Sequence, residues 1–138
     1  MAARDRIHRT VRRALINDGW KITHEPYILD YEGEKLLADL GAGHWFAAEK
    51  YDSLIVVEIK SFIGRSFMRD FEAALGQYLI YQTVLRQVDP DRKLYMAISG
   101  DAYDEMVDRE IVQLVLKEYP VSFVVIELTS EEIIQWIP

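Results

Sequence analysis

At the start of the chain, Ile7, Val11, Ala14 and Leu15 recur at helical spacing with arginines on the opposite face, and Gly19 stands where a helix-ending glycine belongs. This pattern predicts a helix over residues 3–18. β-forming residues follow, first Trp20, Ile22 and Thr23, then Tyr27, Ile28 and Leu29, with Pro26 marking an edge or turn. Glu32-Gly33-Glu34 signals another turn. Residues 35–40 and 45–50 read as strands, and Tyr51-Asp52-Ser53 as a short hairpin connection into 54–60, the strongest strand signal in the chain. Ser66 can cap a long helix reaching Val88, because Phe67, Phe71, Leu75, Leu79 and Thr83 recur every fourth residue, backed by Ala74, Tyr78 and Val84. Asp89-Pro90-Asp91 stops it. Residues 94–98 and 123–128 read as buried strands and 104–117 as an amphipathic helix. Residues 130–137 fit either a short strand or a helix. The order α-β-β-β-α-β-α-β describes one α/β domain over 1–138, a mixed central sheet flanked by helices.

Composition narrows the classes of function. The 138 residues are 50% apolar and 28% charged, which suits a packed core. No apolar run approaches the length of a bilayer span. The first twenty residues carry arginines but no apolar stretch of the kind a secretory signal needs, so a cytoplasmic protein with no membrane partner is expected. With no cysteine, disulfides, thiolate zinc sites and cysteine nucleophiles are excluded.

The net charge of −7 is unevenly spread: residues 101–138 set only Arg109 and Lys117 against nine acids, and the rest of the chain balances to zero. Arg4, Arg6, Arg9, Arg12 and Arg13 make the N-terminal stretch locally basic. An acidic total argues against coating nucleic acid nonspecifically, because phosphate neutralisation dominates that kind of affinity. It leaves room for a local basic face; for the five arginines, a solvated helix face and a phosphate contact both remain open.

The common phosphate-cradling glycine loops and the nucleophile elbow are missing, and His8, His24 and His44 lie far apart in the sequence. One constellation remains. Asp39 sits between Ala38 and Leu40, and Glu58-Ile59-Lys60 ends the strongest strand. Alternation along a strand sends Glu58 and Lys60 to one face while Val57 and Ile59 bury on the other. A charge inserted into an apolar strand is costly unless compensated, and two converging carboxylates invite a hard cation such as Mg²⁺. An acid-x-lysine triplet on its own more often describes two solvated residues at a strand end. The helix that follows sharpens it, since Gln77 and Tyr81 lie one turn apart and face the same way.

Asp39, Glu58-x-Lys60 and Gln77-x-x-x-Tyr81 together resemble the PD-(D/E)xK nuclease superfamily, whose restriction-endonuclease-like α-β-β-β-α-β core is similar to the order read above. At finer grain the whole chain resembles the XisH family, named for controlling excision of a DNA element in cyanobacteria. The resemblance is carried by His8, Asp18-Gly19-Trp20-Lys21-Ile22-Thr23, Ala38-Asp39-Leu40, Ala48-Glu49-Lys50, Val57-Glu58-Ile59-Lys60-Ser61-Phe62, Ser66-Phe67, Ala74-Leu75-Gly76-Gln77-Tyr78 and Gln135-Trp136. It implies that Asp39 and Glu58 ligate Mg²⁺ or Mn²⁺ with the Ile59 carbonyl as a third donor. It also implies that Lys60 assists the attacking water, that Gln77 positions the lysine or the phosphate, and that Tyr81 is the tyrosine of the RecB-like branch. His8 is matched to that branch's first-helix histidine. Ala38 departs from the pattern, standing where the superfamily usually has proline.

Three kinds of function follow from this resemblance. The first is a metal-dependent nuclease acting on nucleic acid, with DNA as the expected substrate. The second is a DNA-binding accessory that leaves the cutting to a recombinase. The third is an interaction subunit whose partner is a companion XisI-like protein. A homodimer is compatible with all three.

Overall fold

The computed structural model describes residues 3–36 and 44–138. Helix α1 (Ala3–Asn17) is followed by strands β1 (Lys21–His24), β2 (Leu29–Tyr31), β3 (Glu34–Leu36), β4 (His44–Lys50) and β5 (Ser53–Ile59). The long helix α2 (Phe67–Val88), strand β6 (Arg92–Ser99), helices α3 (Gly100–Asp108) and α4 (Glu110–Glu118), and strands β7 (Phe123–Glu127) and β8 (Glu132–Ile137) complete the order. Six described strands form one mixed sheet in the order β1-β4-β5-β6-β7-β8, parallel at β5–β6 and β6–β7 and antiparallel elsewhere.

Local chemistry sets several boundaries. At the end of α1, Trp20 N–H donates to the Leu15 carbonyl and Gly19 N–H to that of Ile16, both at 3.0 Å, with Gly19 at φ +97°. This paired closure needs a left-handed residue, which glycine supplies without strain. The Ser66 side chain caps α2 by accepting from Arg69 N–H at 3.2 Å.

The β4–β5 hairpin forms as the alternation predicts, with Trp45 opposite Glu58 and Lys50 opposite Ser53 across the Tyr51-Asp52 turn. The expected strand over 35–40 does not join it within the described residues: Lys35 and Leu36 pair with Asp30 and Leu29 in a separate two-stranded sheet. Glu32 and Gly33 both take positive φ (51° and 86°), and Asp30 Oδ1 accepts from Gly33 N–H at 3.0 Å. This tight turn folds the segment back onto its nearest neighbour. Residues 37–40, including Asp39, lie outside the described part.

The expected helix over 104–117 is two helices, broken at Arg109 (φ −100°, ψ 112°), the first starting earlier under a Ser99 side-chain cap. Residues 130–137, undecided from sequence, form the edge strand β8.

The sheet divides the core. On one face α2 packs Phe71, Ala74, Tyr78, Tyr81 and Leu85 against Ala47, Val56, Leu94, Met96 and Val125, joined by Met106 and Val112 of α3 and α4. On the other face α1 packs Val11, Ala14 and Leu15 against Phe46, Ala48, Ile55, Val57 and Val124. The buried stripe of α2 therefore differs from the every-fourth-residue series read in the sequence. Steps of four rotate about 40° each around the helix axis, so that series drifts off the core, while alternating steps of three and four stay on it.

Candidate functional site

Alternation along β5 decides which way its terminal residues face. Val57 and Ile59 bury on the α1 side, and Val56 on the α2 side. Glu58 and Lys60 share the parity of Val56 and so turn toward α2. Glu58 is wholly buried, 0% exposed, and ranks among the largest fully buried side chains of the molecule. Neither of its carboxylate oxygens has a hydrogen-bond partner among the described residues. A charged carboxylate in that position is strongly disfavoured. Burial accordingly pushes the Glu58 carboxyl up to about 7, against the opposing pull of the Lys60 ammonium.

Lys60 Nζ donates to Gln77 Oε1 across the gap between β5 and α2. Of Gln77 and Tyr81, both expected from helical spacing to look back at the strand end, Gln77 does so through this contact. Tyr81, one turn beyond Gln77, is buried in the α2 core with 4% exposure. Beside the Lys60–Gln77 pair a cleft of about 380 Å³ opens, lined by Ile59, Lys60, Ser61, Ile63, Asp70 and Gln77 among others, with Ile7 of α1 also reaching its wall. Sequence reasoning missed Asp70. Its Oδ2 accepts from Gly64 N–H at 2.8 Å and ties the 60–66 connection to the first turn of α2. A Cβ at Gly64 would fall 2.5 Å from Asp70 Oδ1, so a larger residue there would push the Asp70 side chain out of this contact. The available signal was an acid in a helix's first turn a few residues after a glycine.

The remaining expected site residues are placed as follows. Ile59, whose carbonyl the resemblance offers as a ligand, buries its side chain on the α1 face, and Lys60 N–H continues the ladder to the Ala97 carbonyl at 3.0 Å. His8 lies on α1, on the face opposite to Glu58. Its Nε2 donates to Glu25 Oε2 at 2.9 Å, and its ring meets Phe46 edge-on at 6.0 Å. Arg12 Nε also donates to Glu25, at 2.8 Å. Burial alone would raise the Glu25 carboxyl, but these two hydrogen bonds hold it below the usual carboxylate range. Asp39 lies outside the described residues.

The described donors suit a hard divalent cation in kind. An orphaned buried carboxylate beside a strand-end carbonyl offers oxygen ligands. Among the described residues no group of three His, Asp or Glu side chains gathers as a complete metal cluster. In the ligand set that the resemblance implies, the second carboxylate is that of Asp39, outside the described residues.

The family model for XisH protein matches residues 1–134. Two solved structures share the fold over nearly all of both chains. One is an fdxN element excision controlling factor protein from Anabaena variabilis, with 35% identity and a TM-score of 0.88, covering 97% of this chain and 99% of that one. The other is an XisH family protein from Nostoc punctiforme PCC 73102, with 32% identity and a TM-score of 0.88, covering 97% and 100%. No curated protein matches the chain. No helix among the described residues is long and apolar enough to cross a membrane. Sequence signature and three-dimensional likeness thus run over the same nearly complete span, and the chain belongs to the XisH family.

Proposed function

We propose that this protein is a factor controlling excision of a DNA element and that it carries a metal-dependent phosphodiesterase site of the PD-(D/E)xK type, within a restriction-endonuclease-like fold. One observation carries the reading: Glu58 is buried to 0% exposure with both oxygens orphaned, directly beside the Lys60–Gln77 pair that borders an open cleft. A fold gains nothing from a naked carboxylate in its core, whereas a cation site requires one. The strand order, antiparallel through β1, β4 and β5 and then parallel into β6, supports the fold assignment.

In this reading Glu58, Asp39 and the Ile59 carbonyl hold Mg²⁺ or Mn²⁺, which supplies charge neutralisation at a scissile phosphate. Gln77 fixes the Lys60 ammonium at the cleft wall through its side-chain oxygen. From there Lys60 orients a water for attack on phosphorus and stabilises the charge that develops as the P–O bond to the leaving oxygen breaks. Tyr81, one helical turn beyond Gln77, belongs to the same set in this reading.

The test is incubation with plasmid, single-stranded DNA and RNA, each with Mg²⁺, Mn²⁺ or EDTA. Cleavage is expected with metal, none in EDTA, and none from Asp39→Asn, Glu58→Gln or Lys60→Ala. Thermal melting gives an independent readout. Millimolar Mg²⁺ or Mn²⁺ should raise Tm by mass action on the folded state. The shift should vanish in Glu58→Gln and largely survive in Lys60→Ala. An unchanged melt rejects the cation site.

A second reading is favoured by the excess negative charge in residues 101–138, which suits protein contact better than polyanion contact. There the protein is an accessory that binds DNA or a XisI-like partner while a recombinase cuts. A metal-induced Tm shift without cleavage of any nucleic acid would support it.

A further inference from the structure

The solvent face of α1 gathers cations away from Glu58. Arg6, Arg9 and Arg13 recur at intervals of three and four, which stacks them along one side of the helix with Thr10 between them. Their surroundings separate them from the neighbouring Arg12, which is committed to Glu25 at 2.8 Å. Arg13 meets Glu131 at 3.1 Å yet keeps 62% of its side chain exposed. Arg6 and Arg9 form no ion pair with any described residue. With Leu128 and Thr129 of the β7–β8 turn, these side chains wall a groove of about 350 Å³.

We propose that this groove binds the sugar-phosphate backbone of nucleic acid. The proposal rests on the reading of the protein as one that acts on nucleic acid and extends it to a second surface. Arginine suits the task because its planar fork matches phosphate oxygens and stays charged at every working pH. From Arg6 to Arg13 the helix rises about 10 Å, the length over which one strand of a duplex presents about three phosphates. The strip also leads to the cleft, since Ile7, next to Arg6, forms part of the wall that holds Lys60 and Gln77. Among the described residues lining the groove the one acid is Glu131, and it is taken by Arg13, which leaves Arg6 and Arg9 unneutralised.

The experiment is fluorescence anisotropy of a labelled duplex in EDTA, where cleavage is silent, across a series of salt concentrations. Wild type is compared with Arg6→Gln/Arg9→Gln and with the charge-matched control Lys35→Gln/Lys117→Gln. The paired arginine substitution should weaken binding and reduce the slope of log Kd against log salt by about two, one for each lost phosphate contact. The lysine control should bind as wild type does. Equal slopes for wild type and the arginine variant overturn the groove, as does an equal loss in the lysine control. Loss of self-association by light scattering in the arginine variant, with DNA binding intact, overturns it in favour of contact with the acidic face of a second copy. A reduced slope in a protein that cuts nothing upholds the groove while the nuclease reading fails. Cleavage with an unchanged slope does the reverse.

Discussion

Glu58 is the residue whose chemistry is most sensitive to its surroundings. A glutamate titrates near 4.5 when solvated, and in this fold burial moves it to about 7. Between those values the folded protein holds a proton that the unfolded chain releases, so folding is favoured at the acidic end of the window. Stability of the metal-free protein should therefore fall as pH rises from about 4.5 to about 7 and stay low above it, a loss of about 3 kcal/mol by linkage. Melts across that range in EDTA check the slope, and Glu58→Gln should flatten it. A wild-type profile already flat there would show that Glu58 finds compensation without a metal. Much of this was legible in the sequence. Period-two alternation puts Glu58 and Lys60 on one side, and helical spacing aims Gln77 at the same strand end. That Glu58 would have no partner of its own was not legible, since orphaning depends on packing from α2 and β6, far away in the chain.

At the scale of elements, Tyr78 binds α2 to the sheet. Its hydroxyl, in a side chain with 0% exposure, donates to the Leu94 carbonyl at 3.3 Å and accepts from Ser122 N–H at 3.1 Å and Gln82 Nε2 at 3.3 Å. Tyr78→Phe keeps the ring and removes all three contacts, leaving a buried N–H and a buried carbonyl with nothing in exchange. A loss of about 1–3 kcal/mol is expected in urea unfolding, with the denaturant slope unchanged. A loss below about 0.5 kcal/mol would mean that water takes the hydroxyl's place. The helix itself was readable from its cap and its apolar period. The break between α3 and α4 was hidden by the overall amphipathic pattern of 104–117, and the structure places it at Arg109, whose φ of −100° and ψ of 112° leave the helical region. The β2–β3 hairpin was half visible. Its turn residues were plain, but which strand would accept 35–36 is a tertiary choice that propensity does not contain.

For the molecule as a whole, the parallel strands β5, β6 and β7 are hydrogen-bonded on both sides and covered on both faces. Their amides should exchange slowest with deuterium, in step with global unfolding, whereas those of β1 and of the two-stranded β2–β3 sheet should open at lower free energy. Hydrogen exchange read residue by residue checks this, and equal protection for β1 and β6 would contradict it. The ends of the main sheet have a further consequence. β1 spans only four residues and slips register between Ile22 and His24; β8 begins at an acid, Glu132, behind a left-handed Glu131, and its pairing slips between Val125 and Ile126. A border that is short or kinked and guarded by charge is a poor template for an incoming strand. At high concentration, or when newly made beside other copies, the chain is thus protected against edge-to-edge stacking into fibres, and association is left to side chains rather than to the exposed backbone.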